Sequence, residues 1–272
     1  MQSLTSYLDG YLAAIPYLWR IAVILLVLGA AAAFSLYKRL LTKGGTAAAF
    51  LLGFAVLYIS GISGFLIFLF FFISSSMLGV LIRHDRGIEK KSGARDHVQV
   101  LANGFPAVFF LLLYRFAGSN ALLAAFSASV AEATADTWGG EIGRLSRRDP
   151  LSIITLTRVP KGLSGGVTAL GFAASAAGAL LIALLHYASF SASVLQMLSV
   201  AGCGFLGSVL DSFLGASVQV QYRTGDGALT EMSEENGRKL ERARGVPFID
   251  NDMVNFISGM VSGGLAIAFS LV

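Results

Sequence analysis

The chain has 272 residues, of which 55% are hydrophobic and only 13% are charged, and its mean hydropathy is +0.72. Soluble domains carry roughly 25% charged residues, so this composition excludes a soluble globular protein and indicates an integral membrane protein. The formal net charge is +4, but the basic residues do not alternate with exposed aromatic residues in a soluble domain. Nucleic acid is therefore not an expected partner. The single cysteine, Cys203, excludes an internal disulfide and a cysteine-based zinc cluster.

Eight windows along the chain predict membrane-spanning helices, each close to the length of about 20 apolar residues that a bilayer requires. The windows fall at roughly residues 17–37, 46–60, 62–82, 99–116, 120–138, 165–186, 193–216 and 252–272. The second and third are short and are separated only by Gly61, Ser63 and Gly64, so they form either a tight hairpin or one long broken helix. Seven spans is therefore the alternative count. We expect a single polytopic, all-α membrane domain over residues 1–272.

The basic residues predict the orientation of the chain. Of the 20 lysines and arginines, all but Arg20 and Arg115 lie in four linkers, at residues 38–43, 83–95, 144–161 and 223–244. With eight spans, the four linkers fall on one side of the membrane. The positive-inside rule makes that side cytoplasmic and places both termini outside. We expect residues 217–250 to form a solvated, mobile cytoplasmic loop that could serve as a lid over a site.

Acidic residues inside predicted spans are costly in a bilayer and are candidates for function. The segment ADTWGGEIG, residues 135–143, holds Asp136 and Glu141 and follows Glu132, while Asp211 lies near the same end of the seventh span. Glu132 and Asp136 are one helical turn apart, so they repel unless a cation or a shared proton lies between them. In the alternative interpretation, Glu132 pairs with an arginine and Asp136 caps the helix or reaches the interface.

The segment PKGLSGGV, residues 160–167, predicts a glycine-rich turn that leads into the sixth span. Such a turn exposes backbone amides beside the positive end of a helix dipole, which suits phosphate, and Lys161 adds a cation. The spacing is not that of a Walker loop. Gly165 and Gly166 could equally be close-packing residues between membrane helices.

Polar residues also enter the fourth and eighth spans. Arg95 precedes the fourth span, and Gln99 and Asn103 repeat one turn apart along it, where they either face a substrate or bond to other helices. Asn255 lies one turn inside the eighth span. His84 and His186 lack partners at ligand spacing and receive no role.

A short duplication links two of these segments. DTWGGE at 136–141 resembles DSFLGA at 211–216, and each is followed by a polar loop and by SGGV at 164–167 or SGGL at 262–265. This predicts parallel repeats in which spans five and six match spans seven and eight. Such repeats would bring Asp136 and Asp211 to one cytoplasmic mouth, although a chance match remains the alternative.

The segments ADTWGGEIG, KGLSGGV, LDSFLGASVQ and RDHVQVLANG together resemble the integral-membrane family catalogued as domain of unknown function 92. That family includes the plant phytyl-phosphate kinase of tocopherol synthesis and transmembrane protein 19. The segments are more distantly similar to the CTP-dependent membrane lipid kinases and cytidylyltransferases. The resemblance implies phosphorylation of an isoprenyl monophosphate to its diphosphate, in isoprenoid metabolism, with CTP or ATP as donor.

The resemblance also implies roles for individual residues. Asp136 and Glu141 match the acidic motif of the family, Asp211 its second acidic motif, and Asn103 its polar fourth span. The residues that match its glycine turn, with the serine between them, are Lys161, Gly162, Ser164, Gly165 and Gly166. One departure is Gly140, where a small hydroxyl residue is expected more often, which puts a side-chain hydrogen bond in doubt.

The resulting hypothesis is phosphoryl transfer at the cytoplasmic face of the cell membrane. Glu132, Asp136, Glu141 and Asp211 would hold one or two Mg²⁺ ions, because that ion prefers oxygen ligands. Lys161 and the glycine turn would bind the nucleoside triphosphate. The residue that neutralises the isoprenyl phosphate would be Arg95, Arg144 or Arg158, and a homodimer is one of the oligomeric states left open.

A cation-coupled membrane transporter is the alternative, because transporters also use paired intramembrane acids and parallel repeats. A CDP-alcohol phosphotransferase would need the run D-x-x-D-G-x-x-A-R, which the sequence lacks.

Overall fold

A computed structural model of the chain describes residues 4–82, 93–235 and 237–270, and within these ranges the protein is a bundle of eight α-helices. The helices are α1 Leu4–Ala14, α2 Tyr17–Tyr37, α3 Lys43–Leu81, α4 His97–Ala117, α5 Asn120–Gly143, α6 Ala169–Phe190, α7 Val194–Ser217 and α8 Asn251–Ser270. Helix α1 was not expected from the sequence. Most of the second basic linker, with His84, lies outside the described residues.

Six of the helices in the described part of the chain are long and apolar enough to cross a membrane: α2, α3, α4, α6, α7 and α8. The expected all-α integral membrane fold is therefore confirmed. Helix α5 has the necessary length, 24 residues, but its acidic residues make it less apolar. The count of eight spans stays a prediction.

Helix α3 is a hairpin of two helical halves that meet at Gly61, which has φ 66° and ψ −159°. A Cβ atom on Gly104 would lie 2.7 Å from Leu52 and 3.1 Å from Phe68. In a straight helix, residues 52 and 68 would be about 24 Å apart, so the two halves must fold back on each other. The hairpin reading of the second and third windows is the correct one.

Helix α5 lies at the centre of the bundle, where it contacts α3, α4, α6, α7 and α8. Every residue from Leu123 to Ala135 is buried, and most of them are alanine or serine. Small side chains let neighbouring membrane helices approach closely. Gly178 of α6 shows this approach, since a Cβ there would lie 3.3 Å from Thr134. The apolar core forms around α5.

The helices begin and end at two opposite ends of the bundle. At one end, the starts of α4, α6 and α8 meet the ends of α5 and α7, and the Thr42 amide donates to the Arg95 carbonyl. At the other end, Ser63 at the α3 hairpin donates to the Ser189 carbonyl of α6. The basic linkers, so far as they are described, lie at the first end, which we call the basic end.

Short antiparallel strands form at the basic end. They are β1 Leu151–Ser152, β2 Gly166–Val167, β3 Gln221–Arg223, β4 Leu229–Thr230, β5 Glu234–Glu235, β6 Arg238–Lys239 and β7 Glu241–Arg244. β1 pairs with β2, β5 pairs with β6, and a three-stranded sheet has the order β4-β3-β7. The segment expected to be a solvated loop thus contains a sheet, and its residues Gln221, Thr230 and Glu231 are buried.

The predicted duplication is only partly reproduced. Asp136 and Asp211 occupy similar positions near the ends of α5 and α7. However, SGGV lies in a turn and in β2 ahead of α6, whereas SGGL lies inside α8, well past its start. The expectation that both motifs open a span is therefore wrong, because Gly263 packs within the bundle against Phe110.

Candidate functional site

A cavity of about 280 Å³ opens at the basic end, between the ends of α4, α5, α6, α7 and α8. The sequence-predicted residues that line it are Arg95, Asn103, Asp136, Glu141, Lys161, Gly162, Ser164, Gly165, Gly166 and Asp211. Distant parts of the chain thus converge, as the hypothesis required. Two of the predicted site residues, Glu132 and Arg158, do not line this cavity.

The carboxyl groups of Asp136 and Asp211 both line the cavity and are close enough to interact electrostatically. Asp211 is only 7% exposed, so little water screens the pair. Two carboxyl groups this close need a shared proton or a cation between them. The pair therefore favours a positive charge in the cavity.

Asparagine side chains from two other helices support this pair. With the Asn255 amide oriented so that donors face acceptors, its Nδ2 lies 2.9 Å from Asp211 Oδ2 and 3.1 Å from the Asn251 carbonyl oxygen. Its Oδ1 then accepts from Asn103 Nδ2 at 3.2 Å. Helices α4 and α8 therefore fix the orientation of the Asp211 carboxylate on α7.

Glu132 lies behind the cavity and not in its wall. It is 2% exposed, and its Oε1 has no hydrogen-bond partner among the residues that the structure describes. Gly207 of α7 and Gly259 of α8 make room for it, since a Cβ on either glycine would approach the Glu132 side chain. The expectation that Glu132 stands at the mouth with the other acids is wrong, because it lies about 16 Å along α5 from Gly143.

The remaining residues of ADTWGGEIG have separate surroundings. Trp138 Nε1 donates to Ser74 Oγ at 3.2 Å, and its ring packs against Phe70. Gly139 faces α6, where an added Cβ would overlap Ser175 Oγ. Gly140 lines the cavity and would meet no atom within 4 Å. The tryptophan and the first glycine therefore hold α5 in place, while Gly140 leaves space in the site.

The glycine turn is held by the strand segment that follows α7. The Ser164 amide donates to Glu231 Oε1 at 3.1 Å, and Gln219 Nε2 donates to Ser164 Oγ at 3.1 Å. Gly165 has φ 82°, and an added Cβ would overlap Ala216 of α7. Gly165 is thus a close-packing residue within a turn, and the phosphate-binding role of the turn stays a prediction.

The turn does not lead directly into a helix. Gly166 pairs with Ser152 in the β1-β2 ladder, and α6 begins only at Ala169, after the N-cap Thr168. Thr168 Oγ1 accepts from the Gly171 amide at 2.9 Å. The expected placement of the turn at the N-terminus of α6 is therefore wrong, because a strand and a side-chain cap come between them.

Three cationic side chains line the cavity: Arg95, Arg144 and Lys161. Lys161 Nζ donates to the Ser146 carbonyl at 2.6 Å, near the end of α5. The Arg144 guanidinium lies over the glycine turn, 3.4 Å from the position that a Cβ on Gly162 would take. Arg158 is exposed and pairs with Leu151 outside the cavity.

Sequence reasoning missed Glu231, which reaches the cavity from the segment after α7 and is 7% exposed. Burial raises the pKa of Glu231 above its ordinary value of 4.5, and the hydrogen bond from Ser164 acts in the opposite direction. Glu231 stands in a mixed-charge stretch without apolar periodicity, so no local pattern separates it from solvated acids nearby. Asp252, in the first turn of α8, also lines the cavity and was not among the predicted site residues.

The residues fit a magnesium ion only in part. Within residues 4–82, 93–235 and 237–270, no three or more His, Cys, Asp or Glu side chains come close enough to hold a metal ion. Mg²⁺, however, is commonly bound by one or two carboxylates, with phosphate and water oxygens completing its coordination. Asp136 and Asp211 fit that arrangement, whereas a centre with four carboxylate ligands does not fit.

The helices and the cavity define an integral, multi-pass membrane protein with a polar site at one end of its bundle. Residues 26–263 match the family described as Integral membrane protein DUF92, and the chain belongs to this family. The resemblance seen in the sequence motifs is thereby confirmed.

The chain is also similar to individual relatives. An uncharacterized membrane protein of Methanocaldococcus jannaschii is 36% identical over 185 residues, covering 66% of this chain and 75% of the relative. Protein PGR of Arabidopsis thaliana is 31% identical over 267 residues, covering 86% and 90% of the two chains. An uncharacterized membrane protein of Synechocystis is 27% identical over 265 residues, covering 93% and 92%. No solved structure matches the chain.

Proposed function

We propose that the protein is a membrane-embedded phosphotransferase that converts an isoprenyl monophosphate to its diphosphate, with CTP or ATP as donor, at the cytoplasmic face of the cell membrane. One observation carries the proposal: the half-buried Asp136 and the buried Asp211 share a single cavity with Arg95, Arg144 and Lys161. A site for a cation alone would not need these basic residues, and a site for an anion alone would not need the acids. A metal–phosphate ligand matches both signs of charge.

The metal fits the aspartate pair. Asp136 and Asp211 would hold Mg²⁺, which would neutralise charge on the donor phosphates. Asn255 keeps Asp211 oriented for this role through its hydrogen bond to Oδ2.

The basic residues would bind and orient the two phosphate-bearing substrates. Arg95 lies just before α4 and Arg144 just after α5, and both line the cavity, so they would neutralise the acceptor and the donor phosphates. An oxygen of the acceptor monophosphate would form a bond to the terminal phosphorus of the donor. The bond from that phosphorus to the oxygen that bridges it to the rest of the donor would break, and the nucleoside diphosphate would leave. The monophosphate is already nucleophilic at neutral pH, so positioning and charge neutralisation suffice without a general base.

The Ser164 amide would donate to a phosphate oxygen only after the Glu231 carboxylate leaves it, because that carboxylate accepts the hydrogen bond of the amide. The isoprenyl acceptor is supported by the location of the cavity at the end of a lipid-facing bundle and by the resemblance of the acidic and glycine motifs to those of the phytyl-phosphate kinase family.

The test is a phosphorylation assay on the purified protein, with radiolabelled CTP or ATP and phytyl, geranylgeranyl, farnesyl or undecaprenyl monophosphate. We expect a Mg²⁺-dependent diphosphate product. Asp136→Asn and Asp211→Asn should each lower turnover by about 100-fold or more, as removal of one charge-stabilising group in a dry site does. The matched control is Asp226→Asn, because Asp226 is fully exposed in a turn. Near-normal turnover in folded Asp136→Asn protein would overturn the assignment.

A second candidate is cation-coupled transport, which one observation favours. Glu132 is a buried acid about halfway along α5, with an unpartnered Oε1 among the described residues, and transporters place coupling sites near the bilayer midplane. Solute uptake into proteoliposomes that follows an imposed cation gradient, without consumption of nucleotide, would favour this function over phosphoryl transfer.

A further inference from the structure

A second cavity, of about 350 Å³, lies at the end of the bundle opposite the basic end. Helices α1 and α2 form one wall, the tip of the α3 hairpin forms another, and Tyr114, Leu123 and Phe190 close the remaining side. Its lining is mainly apolar, but it includes Arg20 and Asp9. Arg20 is one of the two basic residues that the four basic linkers do not contain. The proposed phosphotransferase reaction gives this cavity no role.

The guanidinium of Arg20 lacks a protein counter-ion in the described part of the chain. Its Nε is buried and has no hydrogen-bond partner, and its guanidinium carbon lies 5.7 Å from the centre of the Tyr17 ring. A side chain that merely extended toward water would keep its polar atoms solvated. Arg20 lines the cavity and is half-buried, and its buried Nε makes no hydrogen bond within the described residues, which is costly.

Asp9 shares the cavity but is committed elsewhere. Its Oδ1 accepts from the Ile62 amide at 2.5 Å, and its Oδ2 accepts from Ser63 Oγ at 2.5 Å. Asp9 thus caps the second half of the α3 hairpin, where the positive end of the helix dipole compensates its charge. The cavity therefore retains a positive charge that the protein does not neutralise by direct contact.

The position of Arg20 matches the headgroup level of a bilayer. Arg20 lies three residues after the start of α2 at Tyr17, or about 4.5 Å along the helix. Tyr7, Tyr11, Tyr17 and Trp19 are exposed around it. Tyrosine and tryptophan collect at the membrane–water interface. Leu12, Tyr58 and Ile59 give the cavity a partly exposed wall that is mainly apolar. The cavity thus combines one cationic side chain with an apolar surface, which matches the phosphate and the acyl chain of an anionic lipid.

We propose that this cavity binds an anionic membrane phospholipid, whose phosphate contacts Arg20 and whose acyl chain packs against Leu12, Tyr58 and Ile59. A guanidinium can donate two parallel hydrogen bonds to a phosphate, which satisfies the buried Nε. The bound lipid fastens α1 and α2 to the α3 hairpin. This site is independent of the cavity at the basic end that Asp136 and Asp211 line, which we call the acidic cavity. Either proposal can therefore fail without the other.

Native mass spectrometry of the delipidated full-length protein in detergent tests the site. The probes are phosphatidylglycerol and a diacylglycerol with the same acyl chains, which lacks the phosphate. We expect the wild type to retain phosphatidylglycerol, and we expect Arg20→Gln to weaken its binding by about tenfold. Arg115→Gln, which removes the other basic residue of this end but does not line the cavity, should bind as the wild type does.

A second variant keeps the proposal testable if Arg20→Gln does not fold. Ala13→Leu adds bulk at an exposed position in the cavity wall and should exclude the lipid while Arg20 remains. Equal retention of phosphatidylglycerol by wild type and Arg20→Gln would overturn the proposal, as would equal binding of diacylglycerol. A loss of geranylgeranyl monophosphate binding in Arg20→Gln, with phosphatidylglycerol binding intact, would instead make the cavity an isoprenyl-phosphate site and would also overturn it.

Discussion

Gly139 and Gly140 are adjacent in sequence, yet their surroundings differ in a way that sets their tolerance to substitution. Gly139 is pressed against Ser175 and Gly171 of α6, whereas Gly140 faces the open cavity. The Ser175 hydroxyl also donates to the Ala135 carbonyl at 2.9 Å, so it cannot move freely away from α5. The departure at Gly140 from the hydroxyl residue expected there leaves room for a side chain and strains nothing.

Substitution by alanine should therefore change the stability of the protein at Gly139 and have little effect on it at Gly140. Gly139→Ala should lower the stability of the protein by about 1–3 kcal/mol, the usual cost of overpacking a filled interface. Gly140→Ala should stay within about 0.5 kcal/mol of the wild type. Thermal unfolding in detergent measures both. An equal loss in the two variants would show that helix packing at Gly139 is not as tight as the contacts indicate.

At the scale of elements, the strand segment after α7 acts as a structural support for the glycine turn. Arg244 of β7 donates to the Ala216 carbonyl at 2.7 Å and to Gln221 Oε1 at 2.8 Å, which fixes the sheet to the end of α7. Glu231 directly follows β4, and its side chain accepts a hydrogen bond from the Ser164 amide. The segment thus reaches the wall of the acidic cavity from a position 67 residues away in sequence.

The contact of Glu231 predicts a pH dependence. Because burial raises its pKa, the contribution of Glu231 to stability is full below its ordinary value of 4.5 and is lost as pH rises through the higher folded value. Glutamine does not ionise, so the Glu231→Gln variant does not lose stability in this way as the pH rises. The variant should therefore gain thermal stability relative to the wild type as the pH rises above about 4.5.

Asp226 provides the control for this experiment. Hydrogen bonding from Thr224 lowers the pKa of the exposed Asp226 carboxyl, so the sign of its linkage is opposite and Asp226→Asn should not gain stability as pH rises. Parallel stability curves for wild type and Glu231→Gln would contradict the burial of a titrating Glu231.

At the scale of the whole molecule, the two ends of the bundle differ in charge and chemistry. The acidic cavity and its three cations lie at the basic end, and the Arg20 cavity lies at the other. The charge rule predicts that the basic end is cytoplasmic. This orientation would give the acidic cavity access to nucleotide and would place the lipid site in the outer leaflet.

Cysteine labelling in intact cells tests the orientation. The starting variant is Cys203→Ala, which removes the single native thiol. Ser119→Cys, in the exposed connection between α4 and α5, should react with a membrane-impermeant maleimide from outside. Arg147→Cys, at the exposed basic end, should react only after the membrane is permeabilised. The reverse pattern would place the acidic cavity outside.

The sequence predicted the helices well, because apolar windows of spanning length leave few alternatives in a lipid-exposed chain. The window at 17–37 coincides with α2, and the other windows agree with their helices to within a few residues at most boundaries. The intramembrane acids Asp136 and Asp211 were found for the same reason, since a charged residue in an apolar helix stands out. Helix α1 and the short strands were missed because their signals are weak and local.

What the sequence by itself determined was therefore the class of protein, the run of helices, the asymmetry of charge and the main acidic candidates. Only the tertiary structure decided that α3 folds back at Gly61, that Glu132 lies behind the cavity and that Glu231 reaches it. These depend on contacts between residues far apart in the chain: Asp9 with Ile62, Glu132 with Gly207, and Glu231 with Ser164. Local periodicity cannot predict such contacts. It indicates which face of a helix is apolar, but not which other part of the chain packs against that face.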